Sequence, residues 1–228
     1  MHRKRTLTFA PALAFLALIL QMSFPPGESR ADTVLISEVL VDATGSDNGK
    51  TFVELAGTPG LSLAGYTLVG VNGGTGTVYL TIDLSSFAIP ADGIFVAADT
   101  ASGVTEVAEA DALFSNLDPQ NGPDSIQLRL AGTVVDALGY GSFTSAVFAG
   151  EGNAVALPTA GSSLARPFAD VDTNDNAADF IALAAPTPGA ASFSGAAAVP
   201  EPASLFLLGA ALLPLGRRVR PRTVPGKR

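Results

Sequence analysis

Seven short runs of β-branched and other apolar residues recur along the middle of the sequence, each bounded by residues that favour turns. No helical stripe longer than three turns lies between them. Short strands that follow one another without helices pair as hairpins, so the pattern predicts an all-β, antiparallel sandwich or barrel. The runs are residues 34–41, 52–56, 66–71, 78–82, 94–98, 125–130 and 134–138.

The segments between the runs contain the dipeptides of tight turns, such as Asn48-Gly49 and Ala131-Gly132. These residues tolerate the positive φ angles that hairpins need. The glycine-rich stretch 70–76 has two interpretations, a phosphate-binding loop or a hairpin turn. The hairpin is favoured because no lysine follows in the required place and no helix follows. Residues 104–114 are expected to form a short helix or a covering loop.

Two of the runs alternate between apolar and polar residues. Residues Thr51, Val53 and Leu55 share one predicted face, and Phe52 and Glu54 share the other. In the run 125–130 the isoleucine and leucines face one way, while the serine, glutamine and arginine face the other. Such alternation predicts a sheet with one face in water. We expect Arg129 to lie on that face, with pairing to a carboxylate favoured over ligand binding.

The charge is unevenly distributed. Residues 32–198 hold 3 of the 13 lysines and arginines but 19 of the 21 carboxylates, which gives this span a formal charge of −16. Nucleic-acid partners are therefore excluded, because their phosphates require basic surfaces. The chain has no cysteine, and its one histidine is His2. Zinc sites of Cys and His, and catalysis that needs Ser-His-Asp or Cys-His, are likewise excluded.

The first 31 residues have the pattern of a secretory signal peptide. Three basic residues precede an apolar stretch at 9–20, and Ser29-Arg30-Ala31 is a small-x-small cleavage site. We expect cleavage after Ala31 and a mature chain that begins at Asp32. An uncleaved anchor helix is the alternative, but the apolar stretch is shorter than the roughly 20 residues that span a bilayer.

The last 30 residues contain three ordered features. After a small-residue linker at 192–198, Pro200-Glu201-Pro202 precedes an apolar run at 203–216 and a cluster of arginines. The run has no polar face, which argues against the alternative of a buried core helix in a soluble protein. Arginines directly after such a run are typical of the cytoplasmic end of a membrane segment. The arginines are Arg217, Arg218, Arg220 and Arg222.

This order of motif, apolar helix and arginines resembles the PEP-CTERM sorting signal of Gram-negative bacteria. The resemblance implies recognition by an exosortase at the inner membrane and cleavage near Pro200, Glu201 and Pro202. It further implies a final location at the cell surface or outside the cell, and an association with exopolysaccharide or biofilm matrix. The tail at 221–228 is longer than is usual in that signal.

Three blocks in the span 33–191 resemble the bacterial lamin-tail domain. The resemblance implies an immunoglobulin-like antiparallel β-sandwich over residues 32–191. Thr51 and Ala56 depart from the residues common in that family, and residues 84–124 match no part of it. The blocks are ISEVL at 36–40 with GSDNGKTFVEL at 45–55, LSLAGYTL at 61–68, and SLAR at 163–166 with DTNDNAADF at 172–180 and PTPGA at 186–190.

An acidic loop near the end of the domain is a candidate calcium site. Asp170, Asp172 and Asn174 match positions one, three and five of an EF-hand loop, and Asp179 supplies a further oxygen. The match fails at positions six and twelve, which are not Gly and Glu. In the alternative interpretation, which the resemblance favours, these side chains cap their own backbone.

A second candidate site is the pair Glu38 and Glu54, which lie on neighbouring predicted strands. In a carboxylate-based polysaccharide hydrolase they would flank the substrate as an acid/base pair. The favoured alternative is that residues 47–50 form a turn and that Glu54 accepts a hydrogen bond from a backbone edge. With no tryptophan and three tyrosines, an aromatic sugar cleft is poorly supplied. We therefore expect an exported, non-enzymatic domain with a structural or binding role, without a cofactor, and with a calcium-stabilised adhesion module as the alternative.

Overall fold

Strands dominate the computed structural model, which describes residues 33–101, 103–144 and 147–194. Those residues form ten β-strands and one short helix. The strands are β1 (Leu35–Leu40), β2 (Phe52–Ala56), β3 (Tyr66–Asn72), β4 (Val78–Asp83), β5 (Ile94–Asp99), β6 (Ala112–Phe114), β7 (Asp124–Leu130), β8 (Thr133–Tyr140), β9 (Ser163–Ala165) and β10 (Ile181–Leu183), and the helix α1 spans Asn176–Asp179.

The strands form two sheets, so the all-β sandwich is confirmed. The six-stranded sheet has the order β10-β9-β1-β2-β5-β6, and the four-stranded sheet has the order β4-β3-β7-β8. Neighbouring strands are antiparallel except for β5 and β6, which are parallel. The predicted antiparallel pattern is therefore wrong at this one edge, where β6 returns after the long segment 100–111.

All seven predicted strands are present, with ends that differ by at most two residues. Three strands are absent from the prediction, namely β6, β9 and β10, and each has three residues. Of the two expectations for residues 104–114, the covering loop is confirmed, because the segment consists of turns and bends that lead into β6. The glycine-rich stretch is a hairpin turn between β3 and β4, closed by hydrogen bonds from Asn72 N to Thr77 O and from Gly76 N to Asn72 O.

The main core lies between the two sheets. Alternate residues of the central strands point into it, as Val53 and Leu55 do from β2, and Phe95 and Ala97 do from β5. The four-stranded sheet contributes Leu68, Leu80, Ile82, Ile126, Leu128, Leu138 and Tyr140. These side chains are nearly all removed from water, and their burial is the main stabilising contribution to such a sandwich.

The outer face of the six-stranded sheet is also buried, which corrects the expectation of a wet face behind Phe52 and Glu54. A second apolar cluster covers this face, formed by Leu40, Ala43, Phe52, Ala56, Ile94, Val96, Ala98, Val107 and Ala169. Two segments lie over it. One is the covering loop that contains Val107, and the other is residues 186–194, here called the C-terminal strap, in which Ala191 and Phe193 pack on the cluster.

The outer face of the four-stranded sheet is partly in water. Strand β4 alternates between exposed residues and the buried Leu80 and Ile82, as predicted for a half-buried strand. On β7, however, Ser125 and Gln127 are buried, because Gln127 Nε2 donates to Ala149 O and Ala149 N donates to Ser125 Oγ. Arg129 is partly exposed, and its partner is the Gln127 amide oxygen rather than the expected carboxylate.

The free edge of β8 is closed by one side chain instead of a strand. Asn176 Nδ2 donates to Ala137 O at 2.6 Å, and its Oδ1 accepts from Gly139 N at 2.7 Å and from Glu151 N at 2.9 Å. Val155 continues the edge, since its N–H donates to Gly139 O. Backbone groups that a neighbouring strand normally pairs are thus satisfied by an amide.

Several sequence features lie outside the described residues. They are the signal peptide at 1–31 with its cleavage site at Ala31, the linker residues 195–198, Pro200, Glu201 and Pro202, the apolar run at 203–216, and the arginines Arg217, Arg218, Arg220 and Arg222. Residues 192–194, assigned to the same linker, belong to the C-terminal strap. Within the described ranges no helix has the length and apolar character needed to cross a membrane.

Candidate functional site

A buried arginine lies among four carboxylates where the two sheets meet. Arg166 follows β9, and its side chain is fully buried. Its guanidinium nitrogens lie 3.0 Å from Asp136 Oδ1, 3.3 Å from Asp172 Oδ1 and 3.0 Å from Asp179 Oδ2. Glu151 lies beside Asp136 and Asp172, and a carboxylate oxygen of each of these three residues lies within 4.8 Å of the other two. We call these five residues the Arg166 cluster.

The guanidinium of Arg166 is also bound to backbone and to an aromatic ring. Nε donates to Ile36 O and one terminal nitrogen donates to Val171 O, both at 2.9 Å. The ring of Phe180 lies 4.4 Å from the guanidinium carbon, within the range of a cation–π contact. Arg166 thus binds Ile36 on β1 of the six-stranded sheet and Asp136 on β8 of the four-stranded sheet. Its side chain therefore joins the two sheets.

Asp136 makes the second half of this connection. It is fully buried on β8, and its Oδ2 accepts from Ile36 N of β1 at 2.6 Å. Burial raises the pKa of Asp136, and the charge of Arg166 opposes that rise. For Asp179, burial raises the pKa, but hydrogen bonds with Thr173 and Asp172 and the charge of Arg166 together hold it below its ordinary value. The cluster therefore contains both a carboxyl that resists ionisation and one that favours it.

Glu151 is the least satisfied member of the cluster. Its Oε2 atom is buried and has no hydrogen-bond partner among the described residues. Burial and the charges of Asp136 and Asp172 raise its pKa to about 7. A neutral Glu151 relieves the repulsion between these carboxylates, and so does a cation among them.

Three of the four residues of the predicted calcium site, Asp170, Asp172 and Asp179, accept hydrogen bonds from the chain itself. Asp170 binds Ser194 through both carboxylate oxygens, and Asp172 Oδ1 accepts from Asn174 N at 3.0 Å. Asn174 itself has a φ of 57°, which places it in a left-handed turn. Asp179 accepts from the backbone and hydroxyl of Thr173. The bonds of Asp172 and Asp179 are those expected in the capping interpretation, whereas Asp170 binds a distant segment. Calcium binding by this loop stays a prediction.

Glu38 and Glu54 are register partners on β1 and β2, with exposures of 2% and 0%. Glu38 accepts from Ser163 Oγ and from the backbone and hydroxyl of Thr187. Glu54 accepts from Ser37 Oγ and from Gly189 N, each at 2.7 Å. The expected backbone hydrogen bond to Glu54 and the turn at 47–50 are therefore both present. The two carboxyls lie beneath the C-terminal strap rather than on the walls of an open cleft.

A groove of about 560 Å³ runs beside the C-terminal strap. Its lining includes the apolar Leu40 and Phe52 and the charged Lys50, Glu106 and Glu109. Lys50 is the one lysine of the described residues, and its Nζ donates to Thr44 O at 3.2 Å. The groove therefore combines apolar side chains with charges of both signs.

The Arg166 cluster was not found from the sequence, although one signal for it exists. Asp136 stands in the apolar run Val134-Val135-Asp136-Ala137-Leu138, at a register position that faces the core. A carboxylate in such a position needs a buried partner, and Arg129 and Arg166 are the two arginines of the domain. The chain matches no protein-family model, and no curated protein sequence matches it.

Proposed function

We propose that this protein is an exported, non-enzymatic β-sandwich displayed at the surface of a Gram-negative bacterium, with a structural or binding role in an extracellular polysaccharide matrix. The observation that carries the proposal is the ordered C-terminal pattern of Pro-Glu-Pro, apolar run and arginines, behind a strongly acidic domain. In this proposal, an exosortase in the inner membrane is the partner that cuts near Pro200. Nucleic acid is not a ligand, because the acidic surface repels its phosphates.

We further propose that the sandwich is an immunoglobulin-like domain of the lamin-tail family. The first and last of the three sequence blocks meet in space, which supports this assignment. β1 pairs with β9, Arg166 Nε donates to Ile36 O, and Thr187 binds Glu38. Residues separated by 125 or more positions therefore lie in contact. If the blocks recur together in a family, we expect them to have a shared structural role such as this contact.

The non-enzymatic role is supported by the burial and hydrogen bonding of Glu38 and Glu54, the two candidate catalytic carboxyls. Both carboxylate oxygens of Glu38 and of Glu54 accept hydrogen bonds, from serines, Thr187 and Gly189. A hydrolase needs one carboxyl in contact with substrate and another in contact with water or the anomeric carbon. Opening this pair to a substrate requires removal of the C-terminal strap.

Sorting is tested by expressing the full chain in a Gram-negative host that has an exosortase. We expect the wild type to lose its C-terminal segment and to appear at the surface or in the medium. Pro200→Ala combined with Pro202→Ala should leave the chain uncut in the inner membrane, whereas Pro221→Ala with Pro225→Ala, the same change outside the motif, should be processed normally. Full-length protein in the cytoplasm, uncut at both ends, contradicts the proposal.

A calcium-stabilised adhesion module is the second candidate function. The observation that favours it is the excess of carboxylates in the Arg166 cluster, where Asp136, Glu151 and Asp172 approach one another and Glu151 Oε2 is buried without a partner. Carboxylate oxygens are the ligands that calcium prefers. This set shares only Asp172 with the loop ligands predicted from the sequence.

Thermal unfolding in EDTA and in millimolar calcium tests whether calcium binds at the cluster, at the predicted loop or not at all. An ion that is bound only by the folded state raises Tm. If the cluster binds calcium, the rise in Tm should be lost in Glu151→Gln and kept in Asp170→Asn. If the loop binds it, the rise should be lost in Asp170→Asn and kept in Glu151→Gln. An identical Tm with and without calcium removes this candidate.

A further inference from the structure

The C-terminal strap is held on the six-stranded sheet by side chains rather than by a backbone ladder. Thr187 is bound by Glu38 through its N–H and its hydroxyl, both at 2.8 Å, and Gly189 N donates to Glu54 Oε2 at 2.7 Å. Further along, Ser192 O accepts from Ala169 N, and Ser194 binds Asp170. Because no strand pairing holds it, the strap can detach without breaking the register of any sheet.

Glu54 is the least favourable place for a negative charge beneath the strap. Neither Glu54 nor Glu38 forms an ion pair within the described residues. The ionisable groups that face Glu54 are Glu38 on β1 and Asp92 before β5. The covering loop adds Glu109, whose side chain lies 3.1 Å from the position of a Cβ on Gly189.

The protonation of Glu54 follows from this surrounding. Burial is the largest influence and raises the pKa of Glu54 to about 7, although the hydrogen bonds from Ser37 and Gly189 favour the charged form. Lys50, which lines the groove beside the strap together with Glu106, is bound to Thr44 O. Because burial is what disfavours the charged form, ionised Glu54 becomes more stable when water reaches it. Water reaches the carboxyl when the strap lifts.

We propose that the C-terminal strap is a releasable latch, seated on the outer face of the six-stranded sheet through Glu38 and Glu54 and freed when Glu54 loses its proton. Seated, the strap holds the chain against the domain up to Ser194. Released, its nine residues add roughly 30 Å of reach between the domain and the segment that follows. The exposed sheet face then includes Phe52 and the apolar residues around it.

One consequence of the latch rests on the proposed function. If the chain is sorted near Pro200, five residues separate the strap from that motif, so the latch sets the distance between the domain and its point of attachment or cleavage. The latch itself is independent of where the protein resides, and its test below uses no localisation readout. Failure of one proposal is thus distinguishable from failure of the other.

The test is amide hydrogen exchange of the full chain at pH 5 and pH 8.5, with rates converted to protection factors so that the intrinsic pH dependence is removed. If release restores the ordinary pKa of Glu54, the protection of Thr187 and Gly189 should fall by up to roughly 70-fold between these pH values. The amides of β5 should stay more strongly protected than those of the strap at both pH values, because the strap opens while the sheet beneath it stays paired.

Two variants make the result specific. In Glu54→Gln the carboxyl that titrates is absent, so the protection of the strap should no longer depend on pH. In Glu109→Gln, the matched control, a charge beside the strap is removed but Glu54 remains, so most of the pH dependence should persist. Should Glu54→Gln fail to fold, Ser37→Ala serves instead, because loss of this donor moves the release to higher pH.

Three results overturn the latch. The first is a protection of Thr187 and Gly189 that is the same at both pH values. The second is equal protection of the strap and of β5 at pH 8.5, which indicates that the strap opens only when the whole sheet unfolds. The third is an unchanged pH dependence in Glu54→Gln.

Discussion

The two sheets of this sandwich share one core but differ on their outer faces. β1, β2 and β5 of the six-stranded sheet are buried along their whole length, whereas β4 of the four-stranded sheet alternates between exposed and buried residues. Both sheets obey the same period-two geometry. The difference comes from two loop segments, the covering loop and the C-terminal strap, which pack on one outer face only.

This comparison shows that polar residues on an outer face have two different meanings. On β4, Asp83 is exposed, and hydrogen bonds from Ser85 hold its pKa below the ordinary value. On β2, Glu54 is buried, and its pKa lies far above the ordinary value. A carboxylate therefore faces water in one sheet, whereas in the other it binds the segment that covers the sheet.

The largest expected effect comes from removing the side chain that joins the sheets. Arg166→Met leaves Asp136 buried without its partner and should lower the free energy of unfolding by about 3–5 kcal/mol. Arg129→Met makes the same change on the outer face of the four-stranded sheet and should cost less than about 0.5 kcal/mol. Urea unfolding followed by circular dichroism measures both values.

A double variant identifies the reason for the loss. Because the uncompensated carboxyl is the main cost, Arg166→Met combined with Asp136→Asn should be more stable than Arg166→Met alone. If the double variant is less stable than the single one, the penalty arises from lost packing instead.

The next effect is a pH dependence that belongs to the covered face. The folded-state pKa of Glu54 is raised above its value in the unfolded chain, so the folded state binds more protons between about pH 4.5 and 7. The free energy of unfolding should therefore fall as pH rises through this window, by about 2.5 kcal/mol between pH 5 and 8.5. Glu54→Gln should remove the contribution of Glu54 to this slope, while Glu151, whose pKa is also raised to about 7, should keep a slope of the same sign.

Asp83 on the exposed face has a pKa shift of the opposite direction to that of Glu54, so its effect on stability has the opposite dependence on pH. Its pKa is lowered in the folded state, so its contribution is present at neutral pH and is lost as pH falls below the ordinary range of an aspartate. Asp83→Asn should therefore leave the slope above pH 5 unchanged. A change in that slope in Asp83→Asn, or a slope in Glu54→Gln as steep as in the wild type, shows that the covered face is not its source.

The smallest of these effects compares one truncation in the two sheets. Val96 on the outer face of β5 is 1% exposed, and Val78 at the start of β4 is 50% exposed. Val96→Ala should cost about 2 kcal/mol from lost burial and a new cavity, and Val78→Ala less than about 0.5 kcal/mol. Equal melting temperatures for the two variants mean that the covering segments contribute little to stability.

The strands were predictable from the sequence where pattern and length act together. Runs such as 52–56 and 94–98 have enough consecutive β-branched and apolar residues to identify themselves, and their ends match the structure closely. β9 and β10 have three residues each. They exist because β9 pairs with β1 and β10 pairs with β9. Such strands are determined by distant partners, which a local pattern does not contain.

The wet face predicted behind Glu54 was wrong for a related reason. Alternation in Thr51-Phe52-Val53-Glu54-Leu55 separates two faces, but it does not say what covers the second one. Phe52 was a sign of a covered face, since a large aromatic side chain is rarely left in water on a sheet. The Arg166 cluster joins residues from positions 136 to 179, and only the fold brings them together.

The closure of β8 by Asn176 has a consequence for the protein at high concentration. Open sheet edges recruit the edges of other molecules, and proteins avoid such aggregation by blocking them. Asn176 occupies the backbone groups of Ala137 and Gly139, and Val155 continues the block toward the end of the strand. A single amide side chain thus keeps this flank of the sandwich from acting as a template for intermolecular β-pairing.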